Sequence, residues 1–276
     1  MPSVARTPAF GGMAGRKAGI IGAVLLSAML ISALLAPLLA TADPFAIIGP
    51  SLAAPSLDYL MGTDALGRDL FSGVLYGTRT SLLIATAVGL LATACGVTIG
   101  ITAGYLGGSA DDLLMRITEL FQVLPRFILV AVIIALLGPG LDRVVLTLGL
   151  TSWPVLARVV RGEVLATRNL DFVLSAEALG ATRVRIFSRV LLPQVMPSVL
   201  VLVALMLGQV LLLEASLGFL GLGDPNNLTW GMLAGQAQGY LRAAWWLPLF
   251  PGLAITLTVL GFNLFADGLS AALQRR

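Results

Sequence analysis

Six apolar runs of bilayer-spanning scale, at residues 19–40, 81–105, 113–137, 141–156, 195–220 and 247–269, constrain this chain more than any other feature. A helix needs ~20 apolar residues to cross a hydrocarbon core, a barrel strand only about half as many. Backbone amides in lipid must be satisfied within the protein, and runs of this length satisfy them as helices. Only 11% of the residues are charged, against about 25% in a soluble domain, too few to clothe a water-facing surface. The expected fold is therefore all-α: a polytopic membrane protein with six transmembrane helices. The first run follows Arg6, Arg16 and Lys17 and ends at Ala40-Thr41-Ala42, which resembles a signal-peptide cleavage site. It is longer than the roughly 7–15 apolar residues of a signal peptide, so a retained helix is expected.

Six crossings put both termini on one side, and the lysines and arginines say which. With the N-terminus in the cytoplasm, the inner segments carry Arg6, Arg16, Lys17, Arg116, Arg126, Arg158, Arg161, Arg168, Arg183, Arg185, Arg189, Arg275 and Arg276. The outer ones carry only Arg68, Arg79, Arg143 and Arg242. The expected organisation is a cytoplasmic tail (1–18), a first helix (19–40) and an extracytoplasmic loop (41–78) with a short interfacial helix near 68–76. A five-helix core (79–272) and a cytoplasmic tail (273–276) follow. Pro125 and Pro154 are expected to kink their helices, and Trp245 and Trp246 to anchor at an outer membrane interface.

The chain has no histidine and one cysteine, Cys95. The usual near-neutral base and the commonest metal ligand are missing, and no disulfide can form within the chain. No catalytic, cofactor or metal site is expected. No GxxxxGK[ST] loop is present, so ATP is not expected to bind through a P-loop. An intramembrane enzyme would need an acidic or nucleophile–base pair at depth, and the acids here are scattered.

The polar island at residues 158–193 is the exception to the apolar pattern and is expected to be cytoplasmic. Phe172, Val173, Ala176, Leu179 and Ala181 recur at helical spacing, Gly180 interrupts, and a second basic stretch runs from Thr182 to Val190 before Pro193. Two short helices meeting at a glycine are expected. Such an amphipathic element rests on lipid or inserts into a groove of another protein, and the small-residue notch at Gly180-Ala181 favours the protein.

Nine residues separate Gly180 from Val190-Leu191-Leu192-Pro193. This spacing resembles the cytoplasmic coupling loop of ABC importer permeases, whose signature reads E-A-A, three residues, G, nine residues, I-x-L-P. Leu174-Ser175-Ala176 stands at the E-A-A positions, so the role of the family's first glutamate does not carry over. The resemblance extends to residues 60–69 (LMGTDALGRD), 103–105, 138–140, 214–223 (EASLGFLGLG), 230–231, 244–252 and 262–269. Those stretches resemble the second permease subunit of dipeptide, oligopeptide and nickel importers.

The resemblance implies a type I importer permease in a bacterial or archaeal plasma membrane, embedded in lipid, with no nucleic-acid partner. A second, homologous permease completes the pathway, two ATPases carry ATP and Mg, and an extracytoplasmic protein delivers substrate. Its coupling residues would be Phe172, Ala176, Glu177, Leu179, Gly180, Ala181, Arg183, Phe187 and Pro193. The substrate implied is a di- or oligopeptide; nickel or a metal chelate is the alternative within the family. A stand-alone carrier or channel is the alternative outside it, and would not need the island.

Glu214 and Gln209 fall within the fifth run. A carboxylate at membrane depth must face a cavity or a partner, so Glu214, with Gln209, either lines the pathway or bonds one helix to another. Glu119 is expected to pair with Arg116. Asp64, Arg68 and Asp69, between Gly62 and the second apolar run, either dock the binding protein or form a charge cluster inside a folded loop.

Overall fold

The computed structural model describes residues 10–273, with side chains from residue 15 onward. Arg6, Arg275 and Arg276 lie outside the described residues. In chain order the helices are α1 (Phe10–Leu39), α2 (Leu70–Leu106), α3 (Gly108–Val123), α4 (Arg126–Leu137), α5 (Leu141–Thr167), α6 (Asp171–Ala178), α7 (Arg183–Ile186), α8 (Leu192–Phe219), α9 (Trp230–Gln236) and α10 (Trp246–Leu273). A π-helical turn, Phe187–Leu191, joins α7 to α8. The expected all-α membrane architecture is the one found: five spans are long, apolar helices, and the bent pair α3–α4 makes a sixth.

Hydrogen bonds sort the connections onto two faces. On one, Thr41 meets Ser72, the Leu141 amide meets Asp224, and the Trp246 indole meets the Thr63 carbonyl. On the other, Tyr105 meets Glu177, Asp111 meets Arg161, and Arg168 meets the Gly104 carbonyl. The start of α1 lies against the end of α10 on this second face, as an even number of crossings requires.

The helix ends differ from expectation in three places. The loop expected over 41–78 stops at Asp69, and the short helix near 68–76 is the beginning of a single 37-residue α2 that contains Arg79. Polar residues mask that start in the hydropathy pattern, but Thr78 bonds its hydroxyl to the Val74 carbonyl, so the helix hides its own polarity. The fourth span, expected to end near residue 156, runs on to Thr167, because Val160 and Val164 on its extension are buried. Arg158 and Arg161 therefore ride on a transmembrane helix, and the island proper begins at Arg168. The third run is broken, not merely kinked: α3 and α4 meet at 82° across Leu124-Pro125. Proline holds the preceding residue extended (Leu124 φ −89°, ψ 141°) and gives no amide to the helix. Helix α5, by contrast, runs unbroken through Pro154.

Membrane helices gain little from hydrophobic exclusion and associate through close van der Waals contact. Gly96, Gly100 and Gly104 make a ridge without side chains on α2, and α5 lies in it. A Cβ on Gly100 would sit 2.6 Å from the Ala157 carbonyl oxygen, and one on Gly104 2.8 Å from the Val164 Cβ. Helix α1 uses the same device against α10, where a Cβ on Gly19 would fall 2.7 Å from the Gly268 Cα.

Residues 221–246, which the sequence reads as a Gly/Asn/Pro-rich interfacial loop, are folded and contain α9 and a 3-10 turn at Gln238–Tyr240. Asp224 caps this segment, accepting from the Asn226 and Leu141 amides and from the Asn227 side chain. Burial works to raise the Asp224 carboxyl, but these hydrogen bonds together outweigh it and hold the group below its ordinary value. A carboxyl lowered by folding binds fewer protons folded than unfolded. Its contribution is whole above the ordinary Asp value of about 3.9 and is lost as pH falls through the folded value. Protection of the Leu141 amide against exchange, corrected for intrinsic rate, is expected to stay flat down to about pH 4 and collapse below it.

Candidate functional site

Three groups of sequence-predicted residues fall in three separate places. The first is the island. Val173, Ile186 and Leu191 turn inward and are buried against Ile101, Val160 and Val164 of α2 and α5. The island is thus bolted to the membrane helices by its own apolar residues. Gly180 adopts φ +80°, and no atom lies within 4 Å of where its Cβ would be, so the requirement for glycine there is one of backbone alone. Thr182 caps α7 through the Arg185 amide.

The second island helix is not closed by Pro193 as expected. It continues through the π turn into α8, with the Leu192 amide bonding back to Phe187. Pro193 has no amide to donate, and the widened turn accommodates its ring. Above the buried bolts, Leu179 and Val184 stand 88% and 77% exposed, and Phe172 and Leu174 are exposed beside them. Ala176, Ala181 and Phe187 are half-buried, whereas Arg183 and Pro193 are exposed.

Glu177 does not simply face outward. Its Oε1 accepts the Tyr105 hydroxyl at 2.7 Å, tying α6 to the end of α2. Tyr105→Phe is expected to speed amide exchange across Asp171–Ala178 about fivefold, as loss of ~1 kcal/mol in a partly exposed hydrogen bond would give. Exchange in α8 should not change. Mass-spectrometric hydrogen exchange checks both.

The second group lies at membrane depth. Glu214 is 3% exposed and accepts the Ser81 hydroxyl at 3.5 Å; the Ser81 oxygen in turn accepts the Trp230 amide at 3.3 Å. Here Glu214 joins α8 to α2 and α9. Gln209, one helical turn and a half earlier, is exposed and borders a cavity of ≈120 Å³ with Arg126 and Ser152. Arg126, assigned from the sequence to an inner segment, instead donates to the Ser152 hydroxyl midway along α5. Glu119 pairs with Arg158 at 3.9 Å, not with Arg116.

The third group is the loop before α2. Asp69 is its N-cap, buried, accepting from the Ser72 amide at 2.9 Å and the Thr41 hydroxyl at 2.6 Å. Asp64 accepts the Leu66 and Arg68 amides, both at 2.8 Å, and the Arg68 guanidinium lies over the Phe45 ring. Both aspartates are occupied inside the loop. Trp246 also departs from expectation: it is buried, its indole bonded to Thr63 at 3.2 Å, and only Trp245 stands exposed.

A six-crossing helical unit with an anchored amphipathic insert on one face is an architecture suited to a membrane transport subunit. The comparisons agree. Residues 96–276 match the family described as the binding-protein-dependent transport system inner membrane component, and the chain belongs to that family. It is a multi-pass inner-membrane permease of a kind that works with ATPase and binding-protein components. It is 35% identical to the dipeptide transport system permease protein DppC of Alkalihalophilus pseudofirmus, over 96% of this chain and 88% of that one. It is 37% identical to the probable D,D-dipeptide transport system permease protein DdpC of Escherichia coli K12, over 92% and 86%. The DppC protein of Bacillus subtilis is 36% identical, over 94% and 82%. Among solved structures, the inward-facing MetNI methionine ABC transporter matches with a TM-score of 0.60 at 20% identity, covering 72% of this chain and 95% of that one. That likeness concerns the fold.

Proposed function

We propose that this chain is one of two homologous permease subunits of an ATP-driven importer of di- or oligopeptides. It forms half of the pathway and takes its driving motion from two ATPases that hold ATP and Mg. The relatives that cover almost its whole length are named as dipeptide permeases, which supports the substrate class. The single observation that carries the mechanism is the island, fixed beneath by Val173, Ile186 and Leu191 and presenting Leu179 and Val184 to solvent. Apolar side chains held out on a rigid mount suit a groove on another protein. With the island in the cytoplasm, and both termini with it, closure of the ATPases would move α5 and α8 as rigid bodies. The chain itself would carry out no chemistry.

The test is to co-express the chain with the ATPases and second permease encoded beside it, purify it by its own tag and reconstitute the assembly with its binding protein. Co-purified ATPase and ATP-dependent uptake of a labelled dipeptide are expected. Uptake without an ATPase would make the chain a stand-alone carrier and end this reading. Mass spectrometry of the ligand on the binding protein separates a peptide from nickel or a metal chelate.

A further inference from the structure

The fold carries the Arg126 guanidinium deep among the membrane-spanning helices, where it donates to the Ser152 hydroxyl and has no carboxylate among the described residues at ion-pair distance. Its partner Ser152 is the twelfth of 27 residues in α5, so at 1.5 Å per residue it lies about 17 Å from one end of that helix and about 22 Å from the other. A cation at such depth is costly unless it faces a cavity or a counter-charge. The 82° break at Pro125 is what turns Arg126 into this position. Its Nε is buried and has no hydrogen-bond partner, while one Nη donates to the Ser152 hydroxyl. The cavity that it borders holds ≈120 Å³, about four waters' worth, and is lined by Ser152, Gln209, Val155, Leu202 and Met206. It is open where Val155 and Gln209 are exposed.

The wall therefore presents a fixed, under-bonded guanidinium and an amide in an otherwise apolar, shallow recess. Guanidinium matches a carboxylate through two parallel N–H···O bonds, and the match strengthens where water is scarce. The recess is too small for a whole peptide but takes one end of it.

We propose that Arg126, with Gln209, is a way-station in the translocation pathway that receives the C-terminal carboxylate of the passing peptide. This rests on the peptide-permease reading above. Because a free C-terminal carboxylate is common to peptides of any sequence, the station passes them without reading side chains. Glu214, which is bonded to Ser81, takes no part in this contact.

The experiment uses the assembled transporter in proteoliposomes with its binding protein and alanyl-photoleucine, a dipeptide whose diazirine crosslinks to whatever lies within reach of its C-terminal residue. In the wild type, crosslinks are expected on α8 around Met206–Gln209. Arg126→Gln should lower both that crosslink and the uptake per ATP hydrolysed about tenfold, the worth of one charge-assisted bond. Arg126→Lys, which keeps the charge but loses the paired N–H donors, should recover only part of both. Gln209→Ala, on an exposed side chain, should weaken the crosslink about threefold without hindering assembly, so the proposal stays testable if Arg126→Gln folds poorly. Unchanged crosslinking and uptake in Arg126→Gln or Gln209→Ala would overturn the proposal. So would loss of assembly in Arg126→Gln with full coupling in Gln209→Ala, which would mean that Arg126 pairs with an acid of another subunit. Failure of the peptide reading itself looks different: the wild-type assembly would take up no dipeptide and crosslink nowhere.

Discussion

Leu179→Asp is expected to reduce ATP-driven uptake at least a hundredfold while leaving the chain folded and in the membrane. Leu179 is 88% exposed, so its own fold loses almost nothing. The loss would fall wholly on the partner. Burying a leucine in a groove contributes roughly 1.5–3 kcal/mol, and forcing a carboxylate into the same groove adds a desolvation cost of similar or larger size. Together these exceed the roughly 3 kcal/mol that a hundredfold change in occupancy requires. The measurements are ATPase recovered per permease on affinity purification, and dipeptide uptake. Val184→Asp should act in the same direction, whereas Val173→Asp should unfold the island itself, since Val173 is fully buried. Normal ATPase recovery with Leu179→Asp would show that the partner grips another surface.

The second large effect lies at the opposite face. Trp230→Ala is expected to destabilise the chain by about 3–5 kcal/mol, a large part of the 5–15 kcal/mol typical of a folded domain. Trp230 is fully buried, its indole donates to the Val74 carbonyl at 3.2 Å, and its amide donates to Ser81, which also serves Glu214. Removing the ring empties the junction of α2, α8 and α9. Helix α9 is seated there by bare backbone: a Cβ on Gly218 would fall 2.8 Å from the Met232 nitrogen. A fall in thermal unfolding temperature in detergent, with a drop in membrane-inserted protein, is the expected result. Trp245→Ala, on an exposed ring, should change the same measurements little.

Much of this was visible in the chain before folding was considered. The lengths of the apolar runs required helices, since lipid offers backbone groups no other partner, and Gly180 marked a turn. Local chemistry determined those features, and local chemistry is what a sequence displays. The helix ends were less legible. A hydropathy window cannot see that Thr78 folds its hydroxyl back onto Val74, or that Val160 and Val164 continue a buried face beyond Arg158. The Gly96-Gly100-Gly104 ridge was there to be read as a four-residue spacing of small residues, but its mate on α5 was not.

The roles of individual charged residues were the least legible, because a charge acquires its meaning from what lies across from it. Glu214 and Arg126 both look like intramembrane liabilities in one dimension. Packing gives Glu214 a hydroxyl on a helix more than a hundred residues away, and an 82° break gives Arg126 a serine and an open recess. Asp69 reads as a surface acid until α2 is seen to begin at the next residue. The sequence by itself determined the number of crossings, the amphipathic island and its glycine hinge, all set by periodicities within single segments. Only the tertiary structure decided which of its polar groups find partners on other helices, because hydrogen bonds between distant helices are set by helix placement and leave no periodic trace in the chain.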